Sequence, residues 1–224
     1  YVHDPVIATA LAVETEEDQA VMVACDLVGI SREVLEKVRD LIAPRLAGFD
    51  GRKLLISGTH THTAPGLYEG WYPPAGVGVI SPTEYVAFLV ERLAQVVVEA
   101  WQARQEGGIS WALARAVVGH NRRVAYWDGS AQMYGKTDRL DFLSLEGASD
   151  TGIEVLFCWS AERQLTGLVV NVPCPSQVVE NKYYISADFW SEARRFLKAR
   201  YGEGLFVLPW TSAAGDQSPR DMVR

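Results

Sequence analysis

Two of the four histidines, His60 and His62, stand two positions apart in residues 58–66, which read GTHTHTAPG. If this segment is extended, residues two apart point to the same face, so both imidazoles could reach one metal ion or one substrate oxygen. A histidine pair that caps loop carbonyls at a strand end explains the same pattern without any chemistry. The small, hydroxyl-bearing neighbours favour the functional interpretation, because they leave room for a ligand to approach closely.

A second polar segment, residues 215–219 with the sequence GDQSP, follows the last predicted strand. Ser218, held on a sharp turn, could be a nucleophile or could hydrogen-bond a substrate carbonyl. Asp216 and Gln217 beside it are candidate substrate-binding residues. Gly-Asp and Ser-Pro are also ordinary turn dipeptides, so a purely structural turn is the alternative.

Three further segments carry polar side chains that could serve the same site. Arg122 offers a fixed positive charge suited to an oxyanion or a carboxylate, and Asn121 beside it could bind substrate, unless both lie on a solvated surface loop. Asp26 could orient a metal-bound imidazole from behind, or it could cap the loop before Ser31. Cys174 could face the same crevice, although an inert buried thiol also explains a lone cysteine.

Alternating and helical apolar patterns predict the elements that must position these side chains. Strands are predicted at residues 6–13, 20–25, 53–57, 109–118, 141–145, 153–159, 165–172 and 205–209. Helices are predicted after Ser31, after Ser81, and over residues 188–201. The last of these is predicted to bury Phe189, Trp190, Ala193, Phe196 and Leu197. Strands punctuated by long helices indicate an α/β fold with mixed β-sheet layers and flanking helices, and the polar segments follow strand ends, where such folds bind ligands.

The composition excludes several classes of protein. The chain has 224 residues, 48% of them hydrophobic and 22% charged, and a net charge of −7, which argues against a generic nucleic-acid-binding protein. No apolar run approaches the ~20 residues that a transmembrane helix needs. Three cysteines without a CxxC spacing indicate neither a disulfide framework nor a zinc ribbon. The chain begins with Tyr1 and shows no signal-like segment, so the sequence indicates neither a compartment nor an oligomeric state.

Taken together, six segments resemble motifs of the neutral/alkaline ceramidase family, in the family's order. Residues 57–66 (SGTHTHTAPG) resemble its SxTHTHSGPG loop, and residues 213–219 (AAGDQSP) resemble its AGDxSPN turn. Residues 24–27 (ACDL) resemble its ADL element, and residues 120–123 (HNRR) resemble its NRR or NRS segment. Residues 171–176 (NVPCPS) resemble its NFACHPT segment, and residues 185–188 (ISAD) resemble its ISADY helix start. The resemblance covers the whole chain but only the N-terminal and middle part of the family's catalytic domain. It implies that residues 1–224 form a single α/β domain that is an incomplete portion of that larger domain.

The resemblance implies a zinc-dependent amide hydrolase that releases a fatty acid and a sphingoid base from ceramide. His60 would be a zinc ligand, and His62 would bind or protonate near the scissile carbonyl. Arg122 would shape the oxyanion or fatty-acid carboxylate site, and Ser218 would be the nucleophile or a carbonyl-binding partner. Zinc would polarise the carbonyl, activate water, or do both. The implied partner is a small-molecule or lipid-like N-acyl substrate.

The chain departs from the family pattern at two positions. Pro175 aligns with the family's second zinc-binding histidine, so either Cys174 replaces it as a thiolate ligand, or the site is rearranged, or the metal is lost. Arg220 stands where the family has Asn after Ser-Pro. The family's remaining zinc ligands, a Glu and a Tyr, would lie beyond Arg224.

Three functions are therefore weighed from the sequence. The first is a hydrolase of a linear amide bond, possibly zinc-dependent, whose substrate need not be ceramide. The second is a catalytically inactive, ceramidase-like binding protein that has lost the metal site. The third is a metal-independent serine hydrolase that uses Ser218 and His62. The apolar residues of the loop after the histidines could line an acyl pocket or form a lid on the core; they are Trp71, Tyr72, Val77, Val79 and Ile80.

Overall fold

The structure is a computed structural model that describes residues 1–74 and 76–223. Three α-helices lie in this part of the chain: α1 (Arg32–Ile42), α2 (Pro82–Gln102) and α3 (Phe189–Tyr201). The longer strands are β1 (Ala8–Glu14), β2 (Gln19–Cys25), β3 (Leu54–Gly58), β4 (Gly107–Arg115), β9 (Gly152–Ser160), β10 (Leu165–Val172) and β11 (Phe206–Thr211). The shorter strands are β5 (His120–Asn121), β6 (Arg123–Tyr126), β7 (Ala131–Met133), β8 (Phe142–Leu145) and β12 (Gln217–Ser218).

The first sheet has the strand order β1-β2-β3, with β1 antiparallel and β3 parallel to the central β2. Successive residues of a strand face opposite sides of the sheet, and β2 uses both sides. Val21 and Val23 lie in the cluster shared with α1 and α2, whereas Met22 and Ala24 lie in the cluster shared with the second sheet. The helices bury their apolar stripes against the first of these faces, through Val34, Val38, Ile42, Leu93 and Val97.

The second sheet has the order β11-β10-β9-β4, in which only β10 and β11 are parallel. One of its faces meets the first sheet, where Val169 and Leu208 pack with Ala24. Its other face meets α3, where Leu197 packs against Leu168. The order of layers is therefore helices, sheet, sheet, helix, which confirms the predicted α/β fold with mixed sheet layers and flanking helices.

The carboxyl ends of β3, β10 and β11 converge at one edge of these layers. Just past β3, the Thr59 carbonyl accepts hydrogen bonds from the Ser176 amide (3.2 Å) and the Thr211 hydroxyl (3.5 Å). The Ser212 amide donates to the Val172 carbonyl at the end of β10 (3.2 Å). The segments after three strands thus meet in one place, as the sequence predicted for the polar motifs.

The predicted helix starts are confirmed by their caps. The Ser31 hydroxyl accepts a hydrogen bond from the Val34 amide, and Ser81 forms a reciprocal capping box with Glu84. Pro82 occupies the first turn of α2, where a missing backbone N–H costs nothing. Both opening strands pair as the predicted hairpin, and β9 pairs antiparallel with β10.

Other predictions were wrong in detail. On α3, Phe196 is exposed and Arg194 is buried in its stead. Four of the short strands, β5, β6, β7 and β12, were not predicted. The loop after the histidines exposes Trp71, Tyr72 and its aliphatic residues to solvent, so it neither packs as a lid nor lines an enclosed pocket; Ala75 within it lies outside the described residues. None of the helices in the described part of the chain is long and apolar enough to cross a membrane.

Candidate functional site

The turn after β3 brings the two histidines together. Gly58 is required there, because a Cβ at this position would lie 2.7 Å from the Leu27 carbonyl oxygen. His60 follows in the left-handed region, with φ of 65°, which is a strained conformation for a residue with a side chain. The rings of His60 and His62 stand edge to face with their centroids 4.9 Å apart. The pair therefore forms one imidazole cluster.

Buried threonines hold the histidine segment from the opposite side. Thr59, Thr61 and Thr63 alternate with the histidines and are all buried. The Thr61 and Thr63 hydroxyls both donate to the Ser186 carbonyl, at 2.9 and 3.1 Å. This alternation explains why the segment carries the sequence THTHT: the threonines anchor the backbone, and the imidazoles are left less buried than the threonines.

His60 is oriented by a backbone carbonyl. Its Nδ1 lies 2.7 Å from the Val28 carbonyl oxygen, so Nδ1 carries the proton and Nε2 is free as an acceptor. Imidazoles that bind metals commonly donate their other ring N–H to a carbonyl in this way. The carbonyl of Val28 occupies the place that the sequence hypothesis gave to Asp26.

Asp26 instead forms a buried ion pair with Arg194. The guanidinium donates to both carboxylate oxygens, at 2.7 and 2.9 Å. The carboxylate also accepts hydrogen bonds from the Ile7 amide (3.1 Å) and the Thr59 hydroxyl (3.3 Å). Asp26 thus fixes Thr59, the residue before His60, and contacts neither imidazole. The sequence suggested that Asp26 orients an imidazole or caps the loop before Ser31, and these contacts match neither role.

A buried glutamine, Gln177, connects the histidines to Arg122. The Gln177 Nε2 lies 3.1 Å from the His62 Nε2, and its Oε1 accepts a hydrogen bond from the Arg122 Nη1 at 3.2 Å. Arg122 Nη1 also donates to the Tyr134 hydroxyl (2.9 Å), while its Nε and Nη2 donate to the Gly215 carbonyl. Arg122 is therefore placed beside the histidines, but its guanidinium is engaged by protein groups.

An ion pair closes the other side of His62. The Glu180 carboxylate lies 3.8 Å from His62 Nδ1 and pairs with the Arg220 guanidinium. The loop that carries Gln177 and Glu180 is held by Asp188, whose carboxylate accepts hydrogen bonds from the Val178 and Val179 amides. Arg220, the departure from the family pattern, is thus a partner of Glu180.

The electrostatic environment keeps His62 neutral. Burial lowers the pKa of the His62 imidazole, and the neighbouring His60 and Arg122 lower it further, while Glu180 acts in the opposite direction. Because the pKa of His62 lies below its ordinary value near 6.5, this ring is protonated only at a lower pH than a free imidazole. His62 is therefore suited to a role as a neutral donor or acceptor at neutral pH.

The Ser218 segment forms a short ladder instead of an exposed turn. Ser218 pairs with His120, and Gln217 pairs with Asn121, in a two-stranded antiparallel sheet. Ser218 is fully buried, and its hydroxyl accepts the Arg220 amide at 3.2 Å. No hydrogen bond joins Ser218 to His62 among the described residues, so the expected exposed serine is not found.

The remaining substrate-binding candidates stabilise that ladder. The Asn121 amide donates to the Asp216 carboxylate at 2.8 Å and is buried. Gln217 is also buried and donates to the Ala148 carbonyl at 3.3 Å. These contacts bring the Asp216 backbone to Arg122, whose amide donates to its carbonyl (2.8 Å). The three side chains thus position Arg122, and a direct contact with substrate stays a prediction.

Cys174 does not have the environment of a metal ligand. Its thiol is buried, and burial raises its pKa to about 12, with Asp188 acting in the same direction. Zinc binds the thiolate, so this burial opposes ligation by Cys174, and a zinc ion would have to displace the thiol proton. Within residues 1–74 and 76–223, no group of three or more His, Cys, Asp and Glu side chains could hold a metal ion. The described residues offer His60 Nε2 as a ligand but do not form a complete zinc site.

Sequence reasoning missed Gln177, Glu180 and Tyr134. Gln177 and Glu180 directly follow the motif at residues 171–176 after β10, so their position after a strand end was an available signal. Tyr134 has no such signal, because it lies in a turn after the short strand β7. Three clefts, of about 400 to 580 Å³, lie elsewhere, at the start of β4 and along α1 and α2.

Comparison with solved structures places this geometry in a known fold. The chain superimposes on neutral ceramidase from Pseudomonas aeruginosa with a TM-score of 0.75 and 21% sequence identity. It has the fold of part of a ceramidase. A ceramidase complexed with C2 gives a TM-score of 0.75 and 20% identity, and each match covers 97% of this chain and 34% of the other. The chain thus spans about a third of these proteins. No protein-family model matches it, and no curated protein is similar enough in sequence to count as a relative.

Proposed function

We propose that this chain carries part of the active site of an amide hydrolase that cleaves a linear N-acyl bond in a small or lipid-like molecule. The observation that supports this most directly is the cluster of His60, His62, Gln177 and Arg122 at the converging strand ends of a ceramidase-like fold. Hydrogen-bond donors aimed at a carbonyl oxygen are what an acyl-transfer site needs. Because Pro175 changes the family's zinc-ligand set, we propose a substrate other than ceramide.

The proposal gives each residue a role that its contacts allow. His62 hydrogen-bonds the scissile carbonyl region, and Arg122 holds Gln177 and the Gly215 backbone in place. His60, with Nε2 free, would be this chain's ligand for zinc, which would polarise the carbonyl or activate water. Ser218 is assigned a structural role, because its hydroxyl is buried and bonded to the Arg220 amide.

A second candidate is the inactive binding protein. The proline at position 175, where the family has its second zinc-binding histidine, supports it, because proline cannot bind zinc and loss of the metal would remove the Lewis acid. Such a protein would bind N-acyl compounds through the same cluster without cleaving them. The metal-independent serine hydrolase receives no support, because in the described part of the chain the Ser218 hydroxyl is bonded to the Arg220 amide and no hydrogen bond joins it to a histidine ring.

The test is a hydrolysis assay on a panel of N-acyl compounds with metal content measured in the same samples. We expect release of fatty acid, and a loss of ~10²–10³-fold in rate for His62→Ala, because that is the usual cost of removing one hydrogen-bond donor to the carbonyl oxygen. His3→Ala is the matched control, since the His3 ring lies against Tyr184 outside the cluster, and we expect unchanged activity.

The outcomes separate the two candidates. Metal-free protein that binds the panel without releasing fatty acid would support the binding protein and overturn the hydrolase. Hydrolysis that survives His62→Ala would also overturn the assigned site. Protein that neither binds nor cleaves any member of the panel would contradict both candidates.

A further inference from the structure

Gln177 stands in an unusual position for a surface loop, because it is buried and both ends of its amide meet a polar partner. The two ends of a glutamine amide differ, one being an acceptor and the other a donor. The contact with Arg122 determines which end of the Gln177 amide is the oxygen and which is the nitrogen. A guanidinium has only N–H donors, so the amide atom 3.2 Å from Arg122 Nη1 must be the oxygen.

The orientation of this amide has a consequence for His62. With its oxygen toward Arg122, Gln177 presents its N–H₂ group to His62 Nε2 at 3.1 Å. An N–H donor needs a lone pair opposite it, so His62 Nε2 is unprotonated and the ring proton lies on Nδ1. The Tyr134 hydroxyl, 3.4 Å from the Gln177 oxygen, is compatible with the same orientation.

Among residues 1–74 and 76–223, no acceptor is hydrogen-bonded to His62 Nδ1. The Glu180 carboxylate lies 3.8 Å away, beyond hydrogen-bond distance, and it is already paired with Arg220. His62 is also more exposed than the threonines on either side of it. Within the described part of the chain, the ring therefore presents an unbonded N–H donor to solvent.

We propose that Gln177 is a positioning residue that fixes His62 as the Nδ1–H tautomer, so that His62 hydrogen-bonds the carbonyl oxygen of the substrate through a neutral N–H. The chain of contacts is Arg122 to Gln177 to His62, and Gln177 itself touches no reacting atom. The assignment of the tautomer stands on geometry alone, while its catalytic use rests on the proposed function. In this arrangement His62 stabilises negative charge that develops on the carbonyl oxygen and does not act as the general base.

The experiment is nitrogen-15 NMR of the whole protein with labelled histidine, which reports the protonated ring nitrogen directly. We expect Nδ1–H for His62 in the wild-type protein. Gln177→Leu removes the donor, and we expect the ring to shift toward the Nε2–H form that predominates in free imidazole. Gln177→Glu places an acceptor beside Nε2 while keeping a partner for Arg122, and we expect Nε2–H there as well.

Tyr134→Phe is the matched control, because it removes a hydroxyl from the same cluster but leaves Arg122 to orient the amide. We expect the Nδ1–H form to persist in this variant. An Nε2–H ring in the wild-type protein, or an Nδ1–H ring in both Gln177 variants, would overturn the proposal. If Gln177→Leu fails to fold, Gln177→Glu gives the same decision.

Kinetics then test the catalytic use of this tautomer. We expect Gln177→Leu to lower kcat by ~10–100-fold with KM little changed, because a donor aimed at developing charge acts in the transition state. Equal losses in Tyr134→Phe and Gln177→Leu would contradict that use. Absence of hydrolysis in the wild-type protein would overturn the proposed function and leave the NMR result as the independent test of the tautomer.

Discussion

At the scale of single residues, the pair of Asp26 and Arg194 links the core to the histidine segment. Asp26 is buried at the end of β2, and Arg194 reaches it from α3, 168 positions along the chain. The carboxylate also holds the Thr59 hydroxyl, immediately before His60. Because the charge of Asp26 is out of contact with water, it depends on Arg194 for its compensation.

We expect Arg194→Leu to lower the free energy of unfolding by ~3–5 kcal/mol, because it leaves the Asp26 carboxylate buried without its partner. Urea denaturation followed by circular dichroism measures this. Arg195→Leu is the matched control: its ion pair with Glu192 is exposed, and such pairs contribute about 0–1 kcal/mol. Comparable losses of unfolding free energy in the two variants would show that the buried Asp26–Arg194 pair stabilises the protein no more than an exposed pair does.

The residue scale also shows why part of the site could not be predicted. The histidines, Arg122 and Asp26 lie in recognisable motifs, and the structure does bring the first three together. Gln177 belongs to no recognisable motif, and its role depends on a hydrogen bond from Arg122, which lies 55 residues away in the sequence. Arg194 was missed for the same reason, since the helical pattern of α3 cannot reveal a carboxylate that another element buries.

At the scale of elements, the turn from β3 into the histidine segment depends on close backbone contact. The Thr59 amide donates to the Cys25 carbonyl and the His60 amide to the Leu27 carbonyl, so the chain after β3 lies directly on the chain after β2. Gly58 stands where these backbones cross. A side chain there would meet backbone atoms of Leu27 and Gly29, which cannot move aside as the end of a side chain can.

We therefore expect Gly58→Ala to destabilise the protein by ~1–3 kcal/mol, the usual cost of forcing extra atoms into a well-packed region. We also expect the His60 and His62 NMR signals to move, because the turn that carries them must shift. Gly204→Ala is the control, since a Cβ at that position meets nothing within 4 Å. A Gly58→Ala protein with wild-type stability and unchanged histidine signals would contradict the steric argument.

The elements differ in how far they could be predicted. The helices and long strands follow from caps and apolar periodicity, as Ser81 and Glu84 show for α2. The two-residue strands β5 and β12 have no periodicity to detect, because a pattern needs several residues to repeat. Their pairing buried Ser218, which is why the sequence alone suggested an exposed turn at that position.

At the scale of the whole molecule, the two sheets differ in width. The first sheet has three strands and the second has four, with β11 at one edge of the second and β4 at the other. All nine residues of β4 are exposed, including Ile109, Trp111 and Leu113, which share one face. An edge strand with unpaired backbone groups and an apolar face is a surface on which another strand can add.

We expect the 224-residue chain to associate through β4 as its concentration rises. Trp111 is 80% exposed at the centre of the strand, and β4 has a single charged residue, Arg115, to oppose pairing. Trp111→Arg places a charge on the strand and removes apolar area, as natural edge strands do, so we expect sedimentation velocity to show mainly monomer where the wild-type protein shows larger species.

Trp127→Arg is the control, because Trp127 is similarly exposed but lies outside the second sheet, and the proposal fails if Trp127→Arg reduces association as much as Trp111→Arg does.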